Sequence, residues 1–273
     1  MTTIQSLVHA LAPAWGFALL AAVFAACLLA ERLAPGRRGP TGGRTLNLGI
    51  GGVSILIRAV SAGSIGALAT LAVNAAGGGW IVLPSHGWGL IAGCLAYLVA
   101  MDLGEYVFHR AQHGVPALWA MHTLHHSDPD FGVTTTVRHF WLEPVIKTLT
   151  IWLAVGLTFK ASPAIAGVYA AATYYNYWVH ANVRIGYGPA AWLLNSPQYH
   201  RLHHSASPEH FDCNYAALLP IFDLISGAYR RPARDEYPVT GLDTGEHPRS
   251  FVQAVVWPLR NRGPQTAPIT STQ

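Results

Sequence analysis

Long apolar runs alternate along this chain with short basic or histidine-rich segments. The stretch from Leu11 to Ala30 contains no Lys, Arg, Asp or Glu. At about 1.5 Å of rise per residue it is long enough to cross a bilayer as a helix. A second run, Leu46 to Val73, is interrupted by Arg58 and several glycines. Three more follow, at about Trp88 to Phe108, Pro144 to Phe159 and Pro163 to Val179. The linker Lys160-Ala161-Ser162-Pro163 allows only a tight helical hairpin, and a proline suits the first turn of the helix that follows. The pattern predicts an all-α integral membrane protein with about four to five transmembrane helices. Basic residues come after the first run rather than before it, so that run reads as an uncleaved span and not as a signal peptide.

Composition supports this reading. Of 273 residues, 51% are apolar and only 11% charged, whereas a soluble domain carries about twice that share of charge. A disordered chain, a coiled coil and a polar nucleic-acid module are excluded. The net charge of +4 is spread over the inter-run segments, which fits an orientation signal better than a nucleic-acid face, so no nucleic-acid partner is expected. When the ends of runs one, three and five share a side, every Lys and Arg except Arg58 and Lys160 lies on that side. The positive-inside rule then puts 109–143 and 181–273 in the cytoplasm. Arginine far outnumbers lysine, and alanine and glycine are abundant, which points to a bacterial inner membrane. Residues 1–44 read as an N-terminal transmembrane helix with a basic cytoplasmic loop. The Pro/Arg/Thr-rich stretch 231–273 reads as a loose C-terminal cytoplasmic tail.

The candidate chemistry lies in the histidines. There are 14, and 11 of them fall between positions 109 and 210. His109 and His113 are one helical turn apart. His122, His125 and His126 form one patch on a helix, as do His200, His203 and His204. His180 ends the fifth run. Crowded imidazoles resist joint protonation, and neutral imidazoles facing one another are natural ligands for a borderline metal ion. A lone HxxxH spacing means little, but two copies of HxxHH beside it mean a great deal. Topology brings all nine to one membrane surface, in a cytoplasmic histidine-rich helical cap. Nine rings exceed the needs of one ion, so two are implied. The three cysteines show no zinc-site or disulfide spacing.

The pattern His109-Arg110-x-x-His113, His122-x-x-His125-His126, His180-Ala181-Asn182 and His200-Arg201-x-His203-His204 resembles the fatty acid hydroxylase/sterol desaturase superfamily of integral-membrane di-iron enzymes. Asp102, Tyr106, Arg138, Glu143 and the closing Asp212-Cys213-Asn214-Tyr215 extend the likeness, which covers about residues 45–230. That stretch is thereby marked as the catalytic domain. The resemblance implies two non-haem iron ions, with zinc as a substitute in purified protein. It implies an O2-dependent lipid hydroxylase or monooxygenase that oxidises a C–H bond of a substrate drawn from the bilayer, with desaturation as a variant outcome. The chain departs from the family before Glu143, where Phe140 and Trp141 stand and the nearest histidine is His139. Asn176 and Arg184 flank His180 where some members place another histidine. A tenth ligand is therefore open among Asn176, water and His210.

Asp102, Glu143 and Asp212 are the candidate catalytic carboxylates. Asp102 shares a helix face with His109 and His113, so it is expected to accept an imidazole N–H. No dinucleotide fingerprint, ferredoxin cysteine set or CxxCH haem site is present, so the oxidase needs a separate electron donor or reductase. A membrane two-zinc hydrolase of a lipid ester or amide is the rival reading. Metal transport fits less well, because the ligands gather at helix ends. The run Tyr174 to Trp178 reads as an interfacial aromatic belt or, less readily, as a tunnel wall.

Overall fold

The computed structural model describes residues 3–39 and 42–259; within its helices, the side chains of 1–15, 17, 58–67, 69 and 70 lie outside that description, and with them Arg58. The chain is mostly helical. Helices α1 (Thr3–Leu33), α2 (Gly43–Ala75) and α3 (Gly87–Gly114) cover the first three apolar runs. Helix α4 (Pro116–His126) follows α3 after a single extended residue, Val115. Pro116 forces that break, because a residue before proline is pushed out of the helical region. The turn swings the second histidine patch back over the end of α3.

The fourth run is one continuous helical stretch made of α5 (Glu143–Lys147), a π-helical turn at Thr148–Trp152 and α6 (Leu153–Thr158). The fifth is α7 (Pro163–Ala172) and α8 (Tyr175–Val179), separated at Thr173 and Tyr174. Ser162 caps α7 by accepting from Ile165 N–H, with Pro163 in the first turn. A two-residue parallel ladder, β1 (Ile81–Val82) on β2 (Phe159–Lys160), ties the α2–α3 connection to the α6–α7 hairpin. Beyond it lie α9 (Pro197–His203), α10 (Ile221–Ser226) and α11 (Phe251–Val255).

Helix α3 organises the molecule. Gly93, Tyr97 and Met101 form a buried stripe at four-residue spacing, and Met101 is fully buried. They pack with Ile151, Val155, Ile165 and Tyr169 from the π turn, α6 and α7. Gly104 lets the π turn approach, since a Cβ there would lie 2.6 Å from Ile151 Cγ2. The opposite stripe, Ile91, Leu95, Val99, Leu103 and Val107, is apolar and exposed. Among the described residues, α3 is the one helix long and apolar enough to cross a membrane.

The segment after Pro232 departs from the expected loose tail as far as residue 259. Leu242, Ala254 and Trp257 are buried in a core with Ile50, Trp119, Met121, Leu124 and Phe140. Trp257 Nε1 donates to Thr123 Oγ1 at 3.0 Å. Scattered apolar residues in a polar, proline-rich stretch give no periodicity, so sequence alone did not mark this closure. A buried network holds Arg138. Its guanidinium donates to the Leu124 carbonyl (2.7 Å), Ser127 Oγ (2.8 Å) and Asn47 Oδ1 (2.8 Å), and Asn47 Nδ2 donates to Asp128 (2.7 Å). This locks the C-terminal end of α4 onto α2.

Candidate metal centre

All nine predicted histidines converge. One group contains His109, His113, His122, His126 and His203, and a second contains His125, His180, His200 and His204. Within each group the ligand atoms lie within 4.8 Å of one another. The groups adjoin, because His126 of the first stacks on His204 of the second with ring centroids 4.3 Å apart. Helix α9 supplies His200 and His203, and its C-cap residue is His204. Ser196 caps it by accepting from Tyr199 N–H and Pro197 sits in its first turn, so the sequence Ser-Pro starts the helix where the histidines need it.

The outer nitrogens fix the inner ones. His109 Nδ1–H donates to the Tyr215 carbonyl (2.7 Å), His203 Nδ1–H to the Cys213 carbonyl (2.7 Å) and His180 Nδ1–H to the Asn176 carbonyl (2.7 Å). A neutral imidazole has one N–H, so each inward Nε2 carries a lone pair. Yet His203 Nε2 lies 3.0 Å from His109 Nε2, and His180 Nε2 lies 3.0 Å from His200 Nε2 and 3.2 Å from His125 Nε2. His113 and His126 face each other the same way at 3.2 Å. The His109 and His203 lone pairs, both fixed by their outer N–H bonds, repel at 3.0 Å unless a cation lies between them. Neighbouring ligands of an ion bound at about 2.1 Å are separated by about 3.0 Å in octahedral geometry. His122 Nε2 and His204 Nε2 are buried with no hydrogen-bond partner among the described residues. The donor set therefore fits metal ions.

A proton does not answer the same need. Burial holds His125, His126, His200, His203 and His204 well below the ordinary imidazole value. It lowers His122 to about 4, against the pull of Glu143, and His180 to about 3. Neutral rings are the form that binds metal.

Two of the three expected carboxylates touch imidazoles. Glu143 Oε2 accepts from His122 Nδ1 (3.3 Å), His139 Nδ1 (3.2 Å) and Gln112 Nε2 (2.7 Å), while Oε1 accepts from Phe140 N–H (3.0 Å). Burial would raise its pKa, but the contacts with His139 and His122 outweigh burial and hold the carboxyl well below its usual range. Asp212 Oδ1 lies 3.4 Å from His113 Nδ1, and that hydrogen bond lowers Asp212.

Asp102 is placed differently from the expectation. Its two oxygens accept the backbone N–H groups of Leu218 (3.0 Å) and Leu219 (2.9 Å) rather than an imidazole. Helix spacing put it on the right face, but a loop arriving from elsewhere in the chain claims it first. That loop matters, because Asp212–Tyr215 supplies acceptors to three rings. Asp212 and Asn214 both adopt left-handed backbone, with φ of 56° and 60°, which Asp and Asn tolerate better than most residues. Asp223 braces the segment by accepting from Tyr215 N–H, Ala216 N–H and Tyr199 Oη.

His139, Gln112 and Asp223 are the participants that sequence reasoning did not select. His139 forms a third candidate group with His122 and Glu143 and stacks on His125 at 4.3 Å. Its four-residue spacing from Glu143 was the available signal. His210 is turned to other partners, Ser205 Oγ (2.7 Å) and Glu236 (3.1 Å). The side chains of Tyr174, Tyr175 and Trp178 are half-buried, and their polar tips bond to the Gly16 carbonyl, Tyr187 Oη and the Asn195 carbonyl within the fold.

Comparison with known proteins gives a consistent picture. The fatty acid hydroxylase profile matches residues 94–228. Alkylglycerol monooxygenase of Xenopus tropicalis is 33% identical over 132 residues, which is 48% of this chain and 29% of that protein. The Homo sapiens enzyme of the same name is 34% identical over 146 residues, 53% of this chain and 32% of its own length. Ornithine lipid hydroxylase OlsE of Rhizobium tropici is 28% identical over 166 residues, 61% of this chain and 50% of that protein. The matched region thus spans from under a third to half of the length of these relatives. No solved structure matches.

Proposed function

The chain belongs, through residues 94–228, to the fatty acid hydroxylase family, and from that premise we propose that it is a membrane-bound oxygenase that hydroxylates a C–H bond of a lipid with O2. Nine inward-facing imidazoles in two adjoining groups carry the reading. His109, His113, His122, His126 and His203 would hold one iron ion, and His125, His180, His200 and His204 the other. The ions would supply O2 activation.

The chain's own residues do the rest. Tyr215, Cys213 and Asn176 carbonyls orient the rings, Glu143 fixes the tautomer of His122, and Asp212 steadies His113. Asp102 serves as a positioning residue through the loop it holds. Apolar packing around the rings keeps water out. A narrow crevice between α3 and α7, lined by Leu98 and Leu218 together with Asp102, Glu105 and Tyr169, reaches Asn176, one turn before His180. The catalytic domain would extend over about 45–230, in an inner membrane of bacterial type, with four to five crossings and the histidines on the cytoplasmic side. Electrons would come from a separate donor.

The test is expression with a redox partner, metal analysis and mass spectrometry of membrane lipids. Iron in the protein and an O2-dependent gain of one oxygen atom in a lipid are expected. Full-rate lipid ester or amide hydrolysis under nitrogen by a zinc-loaded protein would reject the oxygenase.

A further inference from the structure

A cleft of about 510 Å3 lies beside α9, apart from the histidines. Arg184, Arg231, Arg234, Tyr187, Gln198 and Asp235 are among its lining residues. Three arginines and one aspartate thus line it. Among the described residues, none of the three is within ion-pair distance of an acidic side chain. Arg184 is held in place, with Nε donating to the Gly36 carbonyl (2.8 Å) and its guanidinium over the Tyr237 ring (5.0 Å).

More positive charge stands behind this wall. Arg201 is only 5% exposed and donates to the Pro238 carbonyl (3.0 Å) and Asn182 Oδ1 (3.0 Å). Arg37 donates to the Tyr237 carbonyl (3.3 Å). A polyanionic oxygen cluster is what such planar cations recognise best.

The same stretch of chain also carries apolar side chains on the outside. Ile185, Trp192 and Leu193 are exposed, and tryptophan favours the boundary between headgroups and acyl chains. A cationic cleft with an apolar collar matches an amphiphile. Gln198 on the cleft wall precedes His200 by two residues on α9, about 3 Å along the helix axis.

We propose that this cleft is a phosphate subsite that seats the headgroup of an anionic phospholipid beside the metal centre. The proposal rests on the lipid-oxygenase reading for its purpose, but not for its binding chemistry. The shared ligand chemistry is a phosphate oxyanion, free or lipid-borne.

The test is calorimetric titration of the full chain in neutral detergent. Three probes are used: dihexanoyl phosphatidylglycerol, dihexanoylglycerol without phosphate, and inorganic phosphate. The phospholipid is expected to bind and the uncharged glyceride to bind at least tenfold more weakly. The double variant Arg231→Gln/Arg234→Gln should lose at least tenfold in phospholipid affinity, with melting temperature and bound iron unchanged. Both residues are exposed, so folding should survive their loss. Arg249→Gln, an exposed arginine outside the cleft lining, should change nothing. Weak competition by inorganic phosphate supports a headgroup site, and strong competition supports a free-oxyanion site in the same cleft. Unchanged affinity in the double variant, or an equal loss in Arg249→Gln, overturns the proposal. Iron content and lipid oxidation are measured on the same preparations. Headgroup binding without any O2-dependent product would sink the oxygenase while leaving the cleft standing.

Discussion

At the scale of the residue, the centre depends on which ring nitrogen carries the proton. His203 shows this most simply, with one nitrogen on the Cys213 carbonyl and the other facing His109. His203→Ala should strip metal from the first group while the helices still form, as read by metal analysis beside circular dichroism. Glu143→Gln keeps the size but weakens the acceptor for His122, and should lower metal affinity by about 10–100-fold. Acid should unfold the metal-stripped protein along a predictable course. His122 at about 4 and His180 at about 3 resist protons that the unfolded chain takes up near 6.5. Stability is therefore full above about pH 6.5 and falls steadily toward pH 3–4. A melting temperature that stays flat between pH 7 and 4 would contradict the neutral-ring assignment. The nine rings were legible in the sequence because helical spacing alone groups them. The carbonyls of Tyr215, Cys213 and Asn176 were not, since every residue has one and only the fold aims it.

At the scale of the element, the long helices were readable from apolar runs, and their breaks from proline. The wall that α3 shares with the π turn was not. Gly104→Ala should clash with Ile151 and cost about 1–3 kcal/mol of stability, measured by thermal denaturation in detergent. Asp102→Asn tests the loop anchor. An amide can accept only one of the Leu218 and Leu219 N–H groups and turns a donor toward the other. The expected loss is about 1–3 kcal/mol, together with weaker metal retention. Unchanged metal binding would leave Asp102 a purely structural residue. Sequence reasoning saw its helix face correctly and missed its partner, because the partner is the backbone of a loop more than a hundred residues away.

At the scale of the whole molecule, the C-terminal segment closes over α4. Trp257→Ala removes a buried ring and its bond to Thr123, and should destabilise by about 3–5 kcal/mol. Limited proteolysis should then cut between 230 and 259 first. Helix α3 turns an apolar stripe outward, which fits a lipid-facing surface. The shell around the rings is built largely from peptide oxygens. Exchanging one amino acid for another leaves such an oxygen where it was. Cys213→Ala would therefore leave the acceptor for His203 in place, although this residue grips the ring. Only changes to the chain itself, such as a deletion that slips the register or an ester in place of an amide, would reveal how much of the centre is main-chain construction.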